Sequence, residues 1–414
     1  ATANGQPLTW SPDIERFGWY RAIMDVRNKQ GLIGRSFLDF VWLPESDPAR
    51  AEFATEPDDL GRFGVIFDER PSGGSSESAS PGGLTRRMLS ALRTGMVSMP
   101  AWPETADPEG ESAFERLVEH LLEDGHEVSF YLDTLPTFLA EEYLVDSSSL
   151  LGVLGSDDER WVRPIGGLLS RFGERVSTWQ IGADGSPDPY YRDDLGRVVS
   201  RVRAALESQV PRLDVRVPWR VEQPIGADAL SMYLPAEVRS GHIAEYADTW
   251  RSAEKVSVVV ELPAAERFSQ RDRVIELVRR LTIASAHGAE RLVIRAPWRT
   301  QRGRWHRDGN TEQAGEPMPA AEFAAMRQVS EALANREIVG ELREIEGARI
   351  FIAQGERSSM LIAWNESTDP KDAVIRGYLG EQRILVRDPF GNARESDPKA
   401  GETRIALGQK PVFV

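Results

Sequence analysis

An α/β fold, a closed (β/α)8 (TIM) barrel with an accessory antiparallel β-sandwich domain, is predicted from three observations. Between about residues 63 and 335, short β-branched or apolar runs alternate with runs of helical period, eight times over. Several of the short runs stop at an acidic residue or at Pro–Trp, which is how a barrel presents side chains from the carboxyl ends of its strands. From about residue 337 the period changes to short runs separated by turns. An open doubly wound sheet is the rival, but it would need a Gly-rich phosphate loop after an early strand, and the sequence has no such motif.

The elements follow in order. Residues 1–60 do not read as a barrel unit. Trp19–Met24 and Ser36–Leu43 are strand-like runs between turn signals, expected to pack beside the C-terminal β domain or across the barrel floor. The barrel domain is assigned to residues 61–336. Phe63–Phe67 is its first strand, ending in Asp68-Glu69; Pro71–Gly83 is a loop on the open face, and Leu84–Thr94 a helix closed by Gly95. Met96–Met99 leads to Pro100-Ala-Trp102, then a helix over Ser112–Glu123. Glu127–Leu132 ends in Asp133, followed by an insert over Pro136–Ser156 and a helix over Trp161–Phe172. Val176–Ile181 breaks at Gly182 and delivers Asp184, and a helix follows over Leu195–Ser208. Leu213–Val217 ends in Pro218-Trp219, with a poorly marked helix after it. Ala229–Leu234 precedes a helix near His242–Ser252. Val256–Val260 ends in Glu261, with a long helix over Gln270–Ala286. Arg291–Ala296 ends in Pro297-Trp298, with a last helix over Pro319–Asn335. Residues 337–414 supply the β-sandwich, with strands near 348–352, 359–364, 373–376, 382–386 and 403–407.

Composition narrows the function. The formal charge of −15 disfavours a nucleic-acid partner, which calls for a basic face. No apolar run is long enough to span a membrane. The chain has no cysteine, which removes disulfides, thiolate nucleophiles and cysteine metal sites; its five His are scattered with no H-x-H or H-E-x-x-H spacing, so neither metal nor cofactor is expected. No G-x-S-x-G elbow is present. Eleven Trp supply core, sugar-stacking platforms, or both. A bacterial protein, secreted or periplasmic, is expected; the oligomeric state stays open.

Four stretches together resemble the clan A glycoside hydrolases, retaining (β/α)8 barrels with a C-terminal β-sandwich. Arg175-Val-Ser-Thr-Trp-Gln-Ile-Gly182 resembles their fourth strand, Ala229-Leu-Ser-Met-Tyr-Leu-Pro235 their sixth, Val258-Val-Val-Glu-Leu262 their seventh, and Gly288 to Trp298 their eighth. The resemblance implies a carbohydrate substrate, with Glu261 as nucleophile, Asp184 as acid/base, Tyr233 orienting the nucleophile and Trp298 at the sugar site. One departure stands out. Where the family closes its fourth strand with Asn-Glu, this chain has Ala183-Asp184, losing the partner of the sugar 2-hydroxyl and shortening the acid by a methylene. A displacement of about 1 Å can cost on the order of 100-fold in rate.

A retaining mechanism needs two carboxyl groups about 5–5.5 Å apart; a gap of about 6.5–9.5 Å suits inversion. Glu261 follows a β-branched strand directly, which favours the nucleophile over a surface charge; Asp184 also suits a plain turn, because Ala-Asp-Gly-Ser-Pro-Asp is turn chemistry. Asp68, Glu69, Glu104 and Asp133 end or follow strands and are further candidates for sugar hydroxyls or a displaced acid. Trp102, Trp219 and Trp298 follow strand ends and suit stacking platforms, whereas Trp179 lies within a strand as core or pocket floor. The Arg-rich loop from Arg299 to Gly309, with Trp305-His306, suits either an acidic sugar or plain solvation. A glycosidase and a catalytically silent barrel that binds polysaccharide or scaffolds an envelope assembly are therefore both compatible with the sequence.

Overall fold

The computed structural model describes the chain apart from residues 1, 4–5, 8–9, 30, 46–60, 71–80, 104–107, 186–192, 222–229, 252–255, 301–316, 357, 368–372, 380–383 and 397–401. Eight parallel strands close into a barrel in chain order: β1 Phe63–Ile66, β2 Met96–Pro100, β3 Glu127–Leu132, β4 Thr178–Ile181, β5 Asp214–Arg220, β6 Leu230–Leu234, β7 Ser257–Val260 and β8 Arg291–Arg295. β8 pairs back onto β1 in parallel, Leu292 opposite Phe63, which removes both sheet edges.

The strand alternation sorts side chains to two sides. Val65, Val97, Phe130, Leu132, Trp179, Val215, Val217, Val258 and Leu292 join the main apolar cluster between strands and helices. The inward positions are different: Ile66, Tyr131, Tyr233, Val259 and Val293 form a small separate cluster inside the barrel. Burial on both faces, against the helices outside and within the barrel inside, explains why these strands read as continuous β-branched runs rather than as clean alternation.

Most expected elements lie within two or three residues of their expected ends, and the differences have local causes. Pro81–Gly83 forms the first turn of the helix Pro81–Leu92 rather than the end of a loop, and the second helix starts at Pro108 rather than Ser112. Proline is well suited to a first helical turn, where its missing N–H costs nothing. Trp161–Phe172 is not one helix. A 3-10 segment Arg160–Ile165, with Pro164 inside it, precedes the α-helix Gly166–Phe172, because an interior proline removes a helical donor. Pro218 and Trp219 lie within β5 rather than beyond it. The stretch near His242–Ser252 is a 3-10 helix Ser240–Tyr246 followed by Ala247–Arg251, and the insert after β3 carries two short helices, Thr137–Tyr143 and Leu150–Leu154. The helix Gln270–Ala286 is as expected, capped by the Ser269 hydroxyl, which accepts from the Asp272 N–H at 3.2 Å. The helix expected after β5, most of the Pro71–Gly83 loop, Glu104, and the loop 301–309 fall on residues outside the described set.

The C-terminal region builds a six-stranded antiparallel sheet from Glu337–Leu342, Ala348–Gln354, Ser359–Asn365, Ile384–Arg387, Ala393–Ser396 and Val412–Phe413, faced by a two-stranded sheet of Val374–Gly377 and Thr403–Ala406. Period-two alternation divides its residues between two cores. Ile350, Ala363 and Val386 pack with Ile375 and Ile405 inside the sandwich, whereas Phe351, Ile362, Trp364 and Phe413 join the barrel core. Arg279 on the long helix donates to the carbonyls of Gln409 (2.6 Å) and Asn365 (3.4 Å) across this junction.

The N-terminal region forms a hairpin, Gly18–Asn28 with Gly31–Trp42. Its base meets the C-terminal sandwich where the Phe17 N–H donates to Asn392 Oδ1 (2.8 Å) and Asn392 Nδ2 returns to the Phe17 carbonyl (2.9 Å). It also meets the barrel, through the Trp19 indole N–H on the Pro319 carbonyl (2.9 Å) and Arg327 on the Pro44 carbonyl (3.0 Å). Among the described residues no helix is long and apolar enough to cross a membrane.

Candidate active site at the barrel mouth

The inward positions stack in layers up the barrel. Ser98, Ser129, Thr178, Gln180, Arg216, Ser231 and Ser257 line a polar lumen around a cavity of about 30 Å³, enough for a water molecule. Above them lie the rings of Tyr131 and Tyr233 with Ile66, Val259 and Val293. One step further along the same alternation, at or just past the strand ends, come Asp68, Asp133, Glu261 and Arg295. Strand geometry thus brings four of the charged residues of this chain to one ring at the carboxyl face, the end where barrels carry their sites.

Glu261 is fixed by its neighbours on β6 and in the loop that follows it. The Tyr233 hydroxyl donates to Glu261 Oε2, and the Ala236 N–H approaches the same oxygen at 3.4 Å. The Glu261 backbone N–H donates to the Leu234 carbonyl at 3.1 Å. Burial, and then the Glu261 carboxylate, push the Tyr233 phenol well above its ordinary pKa, so it remains a donor. The loop that follows β6 is held from beneath by Arg280, which is fully buried and donates to the carbonyls of Leu234 (3.0 Å), Pro235 (2.7 Å) and Val238.

Gly185 closes this arrangement from the β4 side. Its φ is +79°, and a methyl group there would stand 2.7 Å from Tyr233 Cζ and 2.8 Å from its hydroxyl oxygen. Gly185→Ala therefore combines a left-handed backbone penalty with a collision, together about 2–3 kcal/mol. We expect a lower denaturation midpoint and a displaced Tyr233 ring; a midpoint equal to wild type would refute the close packing.

Asp184 is placed differently from Glu261. Its side chain turns down into the lumen, 6% exposed, where Oδ1 accepts from the Ser231 hydroxyl (2.8 Å) and Oδ2 from Gln180 Nε2 (3.1 Å). Burial raises its pKa, against the opposing pull of the Gln180 and Ser231 bonds. A carboxyl raised on folding contributes stability fully present below its unfolded pKa of about 3.9, and loses it as pH climbs through the folded value. Asp184→Asn, which can serve the same two partners as a neutral amide, is therefore expected to gain stability over wild type progressively as pH rises from about 4 to neutrality. Melting temperatures across that range check this, and a pH-independent difference would show that the carboxyl is not paying a burial cost.

Arg295 joins the rest of the ring. One guanidinium nitrogen donates to Asp68 and another to the Asp184 backbone carbonyl at 3.0 Å, which holds the turn after β4 in place. Asp133 is half-buried, accepts the Thr134 N–H at 2.7 Å, and has its pKa raised by burial. Glu69 is exposed. Among the aromatic candidates, Trp298 is half-buried, its ring edge-on to Phe67 at 5.3 Å. Trp102 and Trp219 are 4% and 3% exposed, both in the main core, so neither offers a free face here. Trp179 is core as well, against Phe130 at 5.0 Å. Among the described residues no group of three or more His, Asp or Glu is arranged to hold a metal ion.

The sequence reading passed over Gln180, Ser231, Arg280 and Arg295. For Ser231 and Arg295 a signal existed, because each lies two residues from an inward position, Tyr233 and Val293. Arg280 had none, since an arginine on a helix ordinarily reads as a solvated charge.

No family model matches the sequence, and no curated protein matches it either. Solved structures do. A family 39 glycoside hydrolase from the gut symbiont Bacteroides cellulosilyticus aligns over 97% of this chain and 88% of its own, with a TM-score of 0.62 at 13% identity. A glycoside hydrolase family 30 subfamily 8 xylanase from Clostridium acetobutylicum aligns over 85% and 94%, with a TM-score of 0.52 at 11% identity. An Anoxybacillus alpha-amylase aligns over 86% and 97%, with a TM-score of 0.50 at 12% identity. The closed barrel with its accessory β-domain is thus a fold that this chain shares with glycoside hydrolases.

Proposed function

We propose that the barrel mouth is a glycoside site and that the protein hydrolyses glycosidic bonds of a polysaccharide or oligosaccharide with Glu261 as nucleophile. The observation that carries this reading is the Tyr233 hydroxyl on Glu261 Oε2, with the Ala236 N–H on the same oxygen, while Oε1 has no hydrogen-bond partner among the described residues. In a retaining cycle Glu261 attacks the anomeric carbon, a second carboxyl protonates the leaving oxygen, and the same group then deprotonates the incoming water. Asp184, at the position that the fourth-strand resemblance gives to the acid/base, is the sequence-derived partner. To act, it must leave Ser231 and Gln180 and turn toward the mouth. Trp298, Asp68 and Asp133 are the sugar contacts best placed in this reading; Trp102, Trp179 and Trp219, in the core, would support the mouth without touching the sugar, and exposed Glu69 would lie at its periphery.

One observation favours a second reading. The inward, doubly bonded Asp184 carboxyl leaves the mouth without its expected acid, which suits a silent barrel that binds polysaccharide or scaffolds an assembly. Reducing-end release from a broad polysaccharide panel, run beside direct binding measurements, separates the two. Release supports the hydrolase; binding without release from any member supports the silent barrel, and neither binding nor release defeats both.

A further inference from the structure

We infer that the proton donor of this mouth is Asp133 rather than Asp184. This rests on the reading of the mouth as a hydrolytic glycoside site with Glu261 as nucleophile.

The placement follows from strand alternation. On β3, Ser129 faces the polar lumen and Tyr131 the ring cluster above it, so the next position in the same series, Asp133, stands over the barrel axis. On β7, Ser257, Val259 and Glu261 climb the same way. Strands three and seven are four apart in a closed ring of eight, so Asp133 and Glu261 face each other across the mouth in one layer. Asp184 lies past the end of β4, yet its carboxyl drops back to the level of Ser231, below Tyr233. Of the two aspartates, only Asp133 keeps solvent access.

The surroundings of Asp133 suit a donor. Its Oδ1 is anchored by the Thr134 N–H, which fixes the side chain. The charged or titratable groups around it are Arg295 from β8, Asp68 from the end of β1, and Tyr131 beneath. Arg295 is drawn off by its pairing with Asp68 and its bond to the Asp184 carbonyl, so it does not act as a dedicated ion-pair partner of Asp133. Burial and the negative charge of Asp68 both favour the protonated form that a general acid requires, against the opposing effects of the Thr134 N–H and Arg295.

The chemistry balances with these two groups. The Asp133 proton passes to the glycosidic oxygen as its bond to the anomeric carbon breaks, that carbon bonds to a Glu261 carboxylate oxygen, and the alcohol departs. Water then gives one proton to the Asp133 carboxylate and its hydroxyl to the anomeric carbon, which frees Glu261.

The test compares two leaving groups on one sugar. Wild type, Asp133→Asn and Asp184→Asn are assayed on 2,4-dinitrophenyl glycosides, whose leaving group needs no protonation, and on the matching phenyl glycosides, whose leaving group does. For Asp133→Asn we expect kcat/KM for the phenyl glycoside to fall by about 10²–10⁴-fold while kcat/KM for the dinitrophenyl glycoside, which reports only the glycosylation step, falls far less, with loss of the alkaline limb of the pH profile. Asp184→Asn should keep the wild-type ratio between the two substrates. Asp133→Ala supplied with azide should recover turnover and yield the glycosyl azide, which a merely structural aspartate would not do. The inference is overturned if wild type is active and Asp133→Asn keeps the wild-type ratio, or if the leaving-group split appears in Asp184→Asn instead. Wild type inactive on every glycoside would overturn the hydrolase reading itself.

Discussion

Glu261→Gln is expected to lower glycoside turnover by at least about 10³-fold while leaving the protein folded. Gln matches Glu in size, and its amide oxygen can still accept from the Tyr233 hydroxyl, which donates to Glu261 Oε2 in the wild type. Its position at the end of β7, with the backbone N–H on the Leu234 carbonyl at 3.1 Å, involves no side-chain charge. What the substitution removes is the anionic oxygen that would form the bond to the anomeric carbon, and an amide has little nucleophilicity to replace it. Initial rates on whichever glycoside the wild type cleaves, paired with melting curves of both proteins, make the comparison. An active wild type with a Gln variant within tenfold of it would remove Glu261 from the chemistry and return the mouth to the binding reading.

The largest expected stability effect lies one layer away. Arg280→Met should cost about 2–4 kcal/mol. The guanidinium is fully buried and donates to three backbone carbonyls, those of Leu234, Pro235 and Val238, in the loop that follows β6. Burial lowers its pKa, with Glu276 and Glu261 pulling the other way. Methionine would fill much of the volume but donate nothing. The Leu234 carbonyl would keep the Glu261 N–H and the Pro235 carbonyl the Val238 N–H at 3.2 Å, while the Val238 carbonyl would lose the donor seen here. The same loop carries the Ala236 N–H toward Glu261, so the site should loosen as the fold weakens. Chemical denaturation gives the cost directly. A loss below about 1 kcal/mol would mean that the loop holds its shape without the guanidinium.

The fold was legible because its signals are local. Strand and helix periods alternate in the order that a barrel requires, and β-branched runs such as Val256–Val260 mark strands buried on both faces. Boundaries failed where one residue overrode the period: Pro164 divides a helix, Pro81 and Pro108 extend two others backwards, and Pro218 sits inside a strand. The N-terminal region showed two strand-like runs, but their pairing into one long hairpin depends on contacts between the runs.

The candidate site divides along a similar line. By itself the sequence determined which carboxylates stand at strand ends, Asp68, Asp133 and Glu261, because chain order and period place a strand end wherever the barrel later closes. It also determined that Asp184 follows a break at Gly182. Only the tertiary structure decided where each carboxylate points. Glu261 meets the Tyr233 hydroxyl at the mouth, whereas Asp184, with the turn after β4 tied by Arg295, finds Ser231 and Gln180 inside the barrel. Gln180 is local to β4, but Ser231, Tyr233 and Arg295 come from strands distant in sequence from the residues they meet. A carboxyl settles where donors satisfy it at the least cost of burial, and that balance exists only once the ring of strands has closed.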